Sequence, residues 1–189
     1  MHALKFAVMA LAVTLGVAAH AATLPAQRAS NPASAPLQNA PLHTLGIDHV
    51  GMNVPDIDAA IRFFTELTGA KVISDTRPGA IPAQWKQQFR WHASSELQRF
   101  VMLQLAGGAK IELFHYEGAD VDPQFPHGDD AGASHVALMT ADIDQSLAAI
   151  KARGLKVLNE PITNPDGVRW FYFLTPWGAQ VELVSQTRV

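Results

Sequence analysis

The tightest constraint on this chain is that its sequence is written twice between residues 45 and 187. His49-Val-Gly-Met-Asn-Val-Pro-Asp56-Ile57-Asp58 is answered by His135-Val-Ala-Leu-Met-Thr-Ala-Asp142-Ile143-Asp144. In both stretches Asp follows His by seven positions, Ile by eight and a second Asp by nine. Each copy ends in a nearly identical hexapeptide, Gly108-Ala-Lys-Ile-Glu112-Leu113 and Gly178-Ala-Gln-Val-Glu182-Leu183. Any fold available to such a chain must use one structural unit two times over.

Local patterns give the two copies the same elements. Residues 47–54 and 134–140 are apolar, partly β-branched runs that read as strands. Asp56 and Asp142 are placed to cap helices, and Ile57, Ile61, Phe64 and Leu67 then share one helical face, as do Ile143, Leu147 and Ile150. Gly69 and Gly154 stop those helices. Three further strands are expected in each copy, at 71–74, 99–105 and 109–116, then at 156–160, 170–175 and 179–185. The unit is βαβββ, so the fold class is α+β, with one module at 45–118 and another at 133–187. The first copy is longer by about 16 residues, which belong within 77–96 and include a stretch able to form a short helix.

Ahead of the repeat, residues 1–22 combine Lys5, an uncharged apolar run and Ala19-His20-Ala21, the pattern of a cleavable export signal. Residues 23–44 hold Pro25, Pro32, Pro36 and Pro41 with little charge, which describes an extended linker. The expected location is therefore periplasmic or secreted, with no membrane attachment after cleavage. Charge adds an exclusion: 14 Lys and Arg against 17 Asp and Glu leave a net −3, with no basic footprint for nucleic acid. The chain has no cysteine, so any metal site must use nitrogen and oxygen donors.

Each copy puts a His in its first strand and a Glu in its last, between apolar neighbours: Ile111-Glu112-Leu113 and Val181-Glu182-Leu183. A carboxylate on an inward strand face is costly unless paired or bound to a cation, and here the same cost arises twice. Two imidazoles and two carboxylates suit one divalent ion (Ni, Zn, Co, Mn or Fe). His49, Glu112, His135 and Glu182 are the expected ligands. His43, His92, His115 and His127 have no repeat counterpart, and His115 belongs on the opposite sheet face from Glu112.

With these residues in place, the sequence from Leu45 to about Gln186 resembles the vicinal oxygen chelate superfamily. That group includes glyoxalase I, methylmalonyl-CoA epimerase, extradiol dioxygenases and the fosfomycin and bleomycin resistance proteins. The resemblance implies paired modules forming a cupped mixed sheet, closed within one chain or across a homodimer, with the metal between modules. The order His49, Glu112, His135, Glu182 is that of bacterial-type glyoxalase I, which implies isomerase or lyase chemistry by an α-proton shift through a metal-bound enediolate. It also implies Glu182 as the catalytic base, with Glu112 as alternate. Three other family activities stay open: a methylmalonyl-CoA epimerase-like enzyme, an Fe(II) extradiol-type dioxygenase using three of the four ligands, and a non-enzymatic protein that binds a small molecule.

The extra segment of the first copy carries Arg77, Lys86, Arg90 and Arg99 beside Trp85, Phe89 and Trp91, with Glu96 its single acid. These residues can close as a lid on an anionic, partly apolar substrate, with Arg90 and Arg99 as contacts. Trp177, beside the glycine of a turn, is expected at the pocket.

Overall fold

The computed structural model describes Leu42 and residues 44–186, so the export and linker readings for 1–41 lie outside the described residues. The repeat lies within the compact unit that begins at Gly46. Its first module contains β1 (Val50–Asn53), α1 (Ile57–Thr68), β2 (Lys71–Thr76), α2 (Ala83–Gln88), β3 (Glu96–Gln104) and β4 (Lys110–Glu117). The second contains β5 (His135–Met139), α3 (Ile143–Ala152), β6 (Ile162–Thr163), β7 (Val168–Leu174) and β8 (Gln180–Gln186). Each module forms its own four-stranded mixed sheet, ordered β1-β4-β3-β2 and β5-β8-β7-β6. In both, the first strand runs parallel to the last and forms an outer edge of the sheet.

The caps follow from the sequence. Asp56 accepts from the Ala59 N–H and Asp142 from the Gln145 N–H, each at 2.9 Å. Gly69 (φ 69°) and Gly154 (φ 68°) take the left-handed conformation that ends α1 and α3. Strand alternation then sorts the faces. Met52, Val101, Leu103, Ile111 and Leu113 turn toward α1 and pack with Ile57, Ala60 and Phe64. Phe171, Phe173 and Val181 pack with Ile143 and Ile150 of α3. The opposite face of each sheet carries the Glu: Glu112 with Phe114 and Tyr116, Glu182 with Val184.

Trp177 sits in the packing between the modules, 5.3 Å from the Phe63 ring and 6.1 Å from Phe64. It is a core residue rather than the pocket residue expected from its turn. The second strand of module two also differs from expectation. At 156–160 the pairing with β7 is short, one bridge between Val157 and Phe173 flanked by bonds from the Leu158 N–H to the Tyr172 carbonyl and from the Leu174 N–H to the Lys156 carbonyl, and the ladder resumes as β6. The cause is local: the Asn159 side chain accepts the Tyr172 N–H (2.9 Å), replacing a backbone partner, and Pro161 has no N–H to offer a ladder.

Arg99 braces β3 to β2 and α1. Its β3 position shares a face with Val101 and Leu103, and its guanidinium holds both oxygens of Asp75 on β2 (2.7 and 2.6 Å) and Asp58 on α1 (2.7 Å). The Asp75 carboxyl is held below the usual carboxylate range, chiefly by the Arg99 hydrogen bonds. A lowered folded-state value means the contribution is present above the unfolded value near ~3.9 and is lost as pH falls through the folded value. Arg99→Ala should therefore lower stability at neutral pH and flatten its acid dependence, as read by urea unfolding between pH 7 and 2.5. Phe64→Ala, which empties a fully buried site, should cost about 3–5 kcal/mol in the same assay.

Candidate metal and proton-transfer site

The parallel pairing of first and last strands brings each His beside its Glu. His49 immediately precedes β1, and in module one Gly51 aligns with Glu112. In module two His135 opens β5, and Ala137 aligns with Glu182. His49 Nε2 lies 3.1 Å from Glu112 Oε2, and His135 Nε2 lies 3.2 Å from Glu182 Oε2. The carboxylates are mostly covered, with side chains 17% and 16% exposed, while the imidazoles are 38% and 44% exposed. Each copy thus forms the same pair independently of the other.

Around each pair the setting differs. Asp48 accepts from His49 Nδ1 (2.8 Å) and is itself held by Lys110 Nζ (2.7 Å). The His49 and Lys110 hydrogen bonds keep the Asp48 carboxyl below its ordinary value. A carboxylate only accepts, so Nδ1 turns its N–H to Asp48, and Nε2 is the ring nitrogen that faces Glu112. In module two the Tyr172 hydroxyl donates to Glu182 Oε2 (3.2 Å) and lies 3.2 Å from His135 Nε2. Burial, with the nearby Glu182 charge, pushes the Tyr172 phenol up. Module one has Met102 opposite Glu112 where module two has Tyr172 opposite Glu182.

These pairs fit a divalent cation in kind. Two electron-pair donors facing each other at 3.1 Å repel unless they share a proton or a metal ion. Ligands on a cation with bonds of about 2.1 Å lie roughly 3.0–3.4 Å apart, which brackets both spacings. The four side chains come together two by two, however. Among the described residues no three His, Cys, Asp or Glu side chains cluster closely enough to hold a metal ion within one chain.

The remaining expected contacts fall into place around the insertion. Lys86 is buried in an ion pair with Glu96, and Arg77 lies 3.8 Å from Asp75. With Arg99 also engaged, Arg90 is left as the insertion cation that lines a cavity of about 850 Å³, together with Trp91, Tyr116 and His135. His115 faces away from Glu112, as its strand position requires, with Nδ1 3.2 Å from the Val54 carbonyl. Tyr172 was not singled out by the motif. The hairpin turn at Gly178 fixes the register that sets it across from Glu182, so the signal was present in the spacing.

Residues 46–183 match the family described as the Glyoxalase/Bleomycin resistance protein/Dioxygenase superfamily. The chain belongs to that superfamily. Among curated relatives it is 36% identical over 146 residues to a 2-epi-5-epi-valiolone epimerase of Actinomyces sp., covering 75% of this chain and 79% of the relative. Among solved structures it resembles a glyoxalase family protein from Bacillus cereus (TM-score 0.62, 19% identity, 80% and 98% of the two chains). It is also similar to a fosfomycin resistance protein of Listeria monocytogenes complexed with Mn(II) and sulfate (TM-score 0.50, 18% identity, 77% and 95%). These two likenesses concern the fold.

Removing the Tyr172 hydroxyl takes from Glu182 the one hydroxyl that donates to it in a mostly covered place, leaving the His135 imidazole as its neighbour. Tyr172→Phe should cost about 1–3 kcal/mol by urea unfolding, whereas Met102→Leu, at the matching place, should cost less than ~1.5 kcal/mol.

Proposed function

We propose that this protein is a metal-dependent epimerase acting on a small carbonyl compound, inverting a carbon next to the carbonyl group. The observation that carries this reading is a matched set of two carboxylates, one in each module, each set against an imidazole. The kinship with an epimerase over most of both chains supports it. Glyoxalase-type chemistry shares the proton abstraction but moves the proton between neighbouring atoms, and two matched carboxylates are better suited to removing a proton from one face and returning one to the other.

His49, Glu112, His135 and Glu182 would hold the ion. When bound, a divalent cation supplies Lewis-acid chemistry, polarising the carbonyl and acidifying the neighbouring C–H. In the reaction Glu182 would take the proton as the C–H bond breaks, and Glu112, off the ion and protonated from water for this step, would deliver that proton to the opposite face of the same carbon. The two carboxyls then exchange with water to reset. Asp48 fixes the tautomer of His49, and Tyr172 holds the Glu182 oxygen in one orientation.

Four ligands on one ion require the two half-sites to meet. β1 and β5 are both outer strands, and each carries its His at or just before its start. A two-fold pairing of copies, with β1 beside the partner's β5, joins the first half-site of one chain to the second of the other and generates two equal centres. The same proposal includes export, for which the apolar run near the N-terminus argues.

Incubated in D2O with a divalent metal and, as separate probes, 2-epi-5-epi-valiolone and its phosphate ester, the protein should place one deuterium at the inverted carbon of each product molecule of at least one of them. Glu182→Gln should slow this at least ~100-fold. No exchange in the metal-loaded protein would sink the epimerase reading. Mixing the His49→Ala/Glu112→Gln chain with the His135→Ala/Glu182→Gln chain should restore exchange that neither shows alone. A strictly single-chain centre predicts no recovery.

A further inference from the structure

Three helices end in a left-handed residue, and two of them use glycine there: Gly69 (φ 69°) after α1 and Gly154 (φ 68°) after α3. The third end, after α2, uses Arg90 (φ 58°), the one non-glycine with positive φ among the described residues. The turn is fully formed. The Arg90 N–H bonds the Gln87 carbonyl (3.2 Å) and the Trp91 N–H bonds the Lys86 carbonyl (2.8 Å), the pair of bonds that glycine usually serves. A Cβ in this conformation is strained, so arginine is held here against the local preference. Its neighbours fix the turn firmly: Lys86 is buried against Glu96 and the Ala93 carbonyl, and Trp91 packs edge-on against Tyr116 at 5.0 Å.

What the position gains is a side chain at the cavity. Arg90 lines the space of about 850 Å³ that also reaches Trp91, Tyr116 and His135, a size suited to a small molecule. It makes no ion pair among the described residues, whereas the other cations of the insertion are all engaged. The two acids in the same wall are engaged elsewhere, Glu117 with His115 (3.4 Å) and Asp122 with the Gln124 N–H (2.9 Å). From Trp91 an aromatic wall continues through Tyr116 and Phe114, with ring centres 6.2 Å apart, on the strand face that carries Glu112.

We propose that Arg90 is an oxyanion anchor, and that the molecule taken by this cavity carries a phosphate or carboxylate group which the guanidinium holds while its carbon skeleton lies along the aromatic wall. A planar guanidinium suits either group through paired N–H bonds. This deepens the proposed function by naming the substrate as an acidic carbonyl compound, and it rests on that reading only for the word carbonyl.

The test follows the four tryptophan indole N–H signals of the full chain by nitrogen–proton NMR while inorganic phosphate, and separately acetate, is added. The Trp91 signal should shift and saturate with at least one of the two anions, and the tighter of them names the group. Arg90→Gly should weaken that response at least tenfold while leaving the thermal midpoint unchanged or higher, because glycine relieves the turn. Arg90→Lys should keep part of the response. A saturating shift that is equal in wild type and Arg90→Gly, no saturation with either anion, or a lowered midpoint in Arg90→Gly would each overturn the anchor. Anion binding that survives alongside a failed deuterium exchange would count against the epimerase reading alone.

Discussion

A carboxylate placed among apolar strand residues is the constraint from which the rest of this molecule follows. Glu112 lies between Ile111 and Leu113, both fully buried on the other face of the strand, and Glu182 stands between Val181 and Leu183 at the equivalent place. Each oxygen covered to this degree needs a donor, a proton or a cation. The parallel strand at the sheet edge supplies an imidazole in both modules. Duplication alone would produce two identical solutions, and the differences between them are informative.

In module one the support reaches the imidazole: Asp48, itself held by Lys110, binds His49 from behind. In module two it reaches the carboxylate, through the Tyr172 hydroxyl. One half-site therefore has a fixed nitrogen donor and a carboxylate without a tyrosine, and the other the reverse. In the proposed epimerase reaction the two carboxyls take opposite proton states in one turnover, and unlike surroundings suit that division of roles.

Most of the architecture was legible in the residues because it is set by short-range rules. The caps at Asp56 and Asp142, the glycine ends, and the helical faces of Ile57, Ile61 and Phe64 and of Ile143, Leu147 and Ile150 all depend on spacing within one element. What failed depended on partners distant in the chain. Arg99 reads as a free cation until Asp58 and Asp75 are brought to it, and Trp177 reads as a turn residue until α1 packs on it. The strand expected at 156–160 is cut short because a side chain, Asn159, takes a backbone role. Each His–Glu pair follows from the parallel strand pairing inside its own module, whereas whether the two pairs meet depends on how modules pack, which no local spacing records.

The insertion shows the same logic from the other side. Its residues alone spell only a cluster of charge and aromatic rings, a description that fits a loose lid and a solvated edge equally well. The fold separates its members by what they touch. Lys86 turns inward and anchors the segment, Arg77 and Arg99 gather at Asp75, and the aromatic rings continue the wall that begins at Phe114. These contacts account for three of the insertion's four cations, and the strained turn presents the fourth, Arg90, at the cavity wall; an anion held there, as proposed, would be gripped at a place the backbone sets.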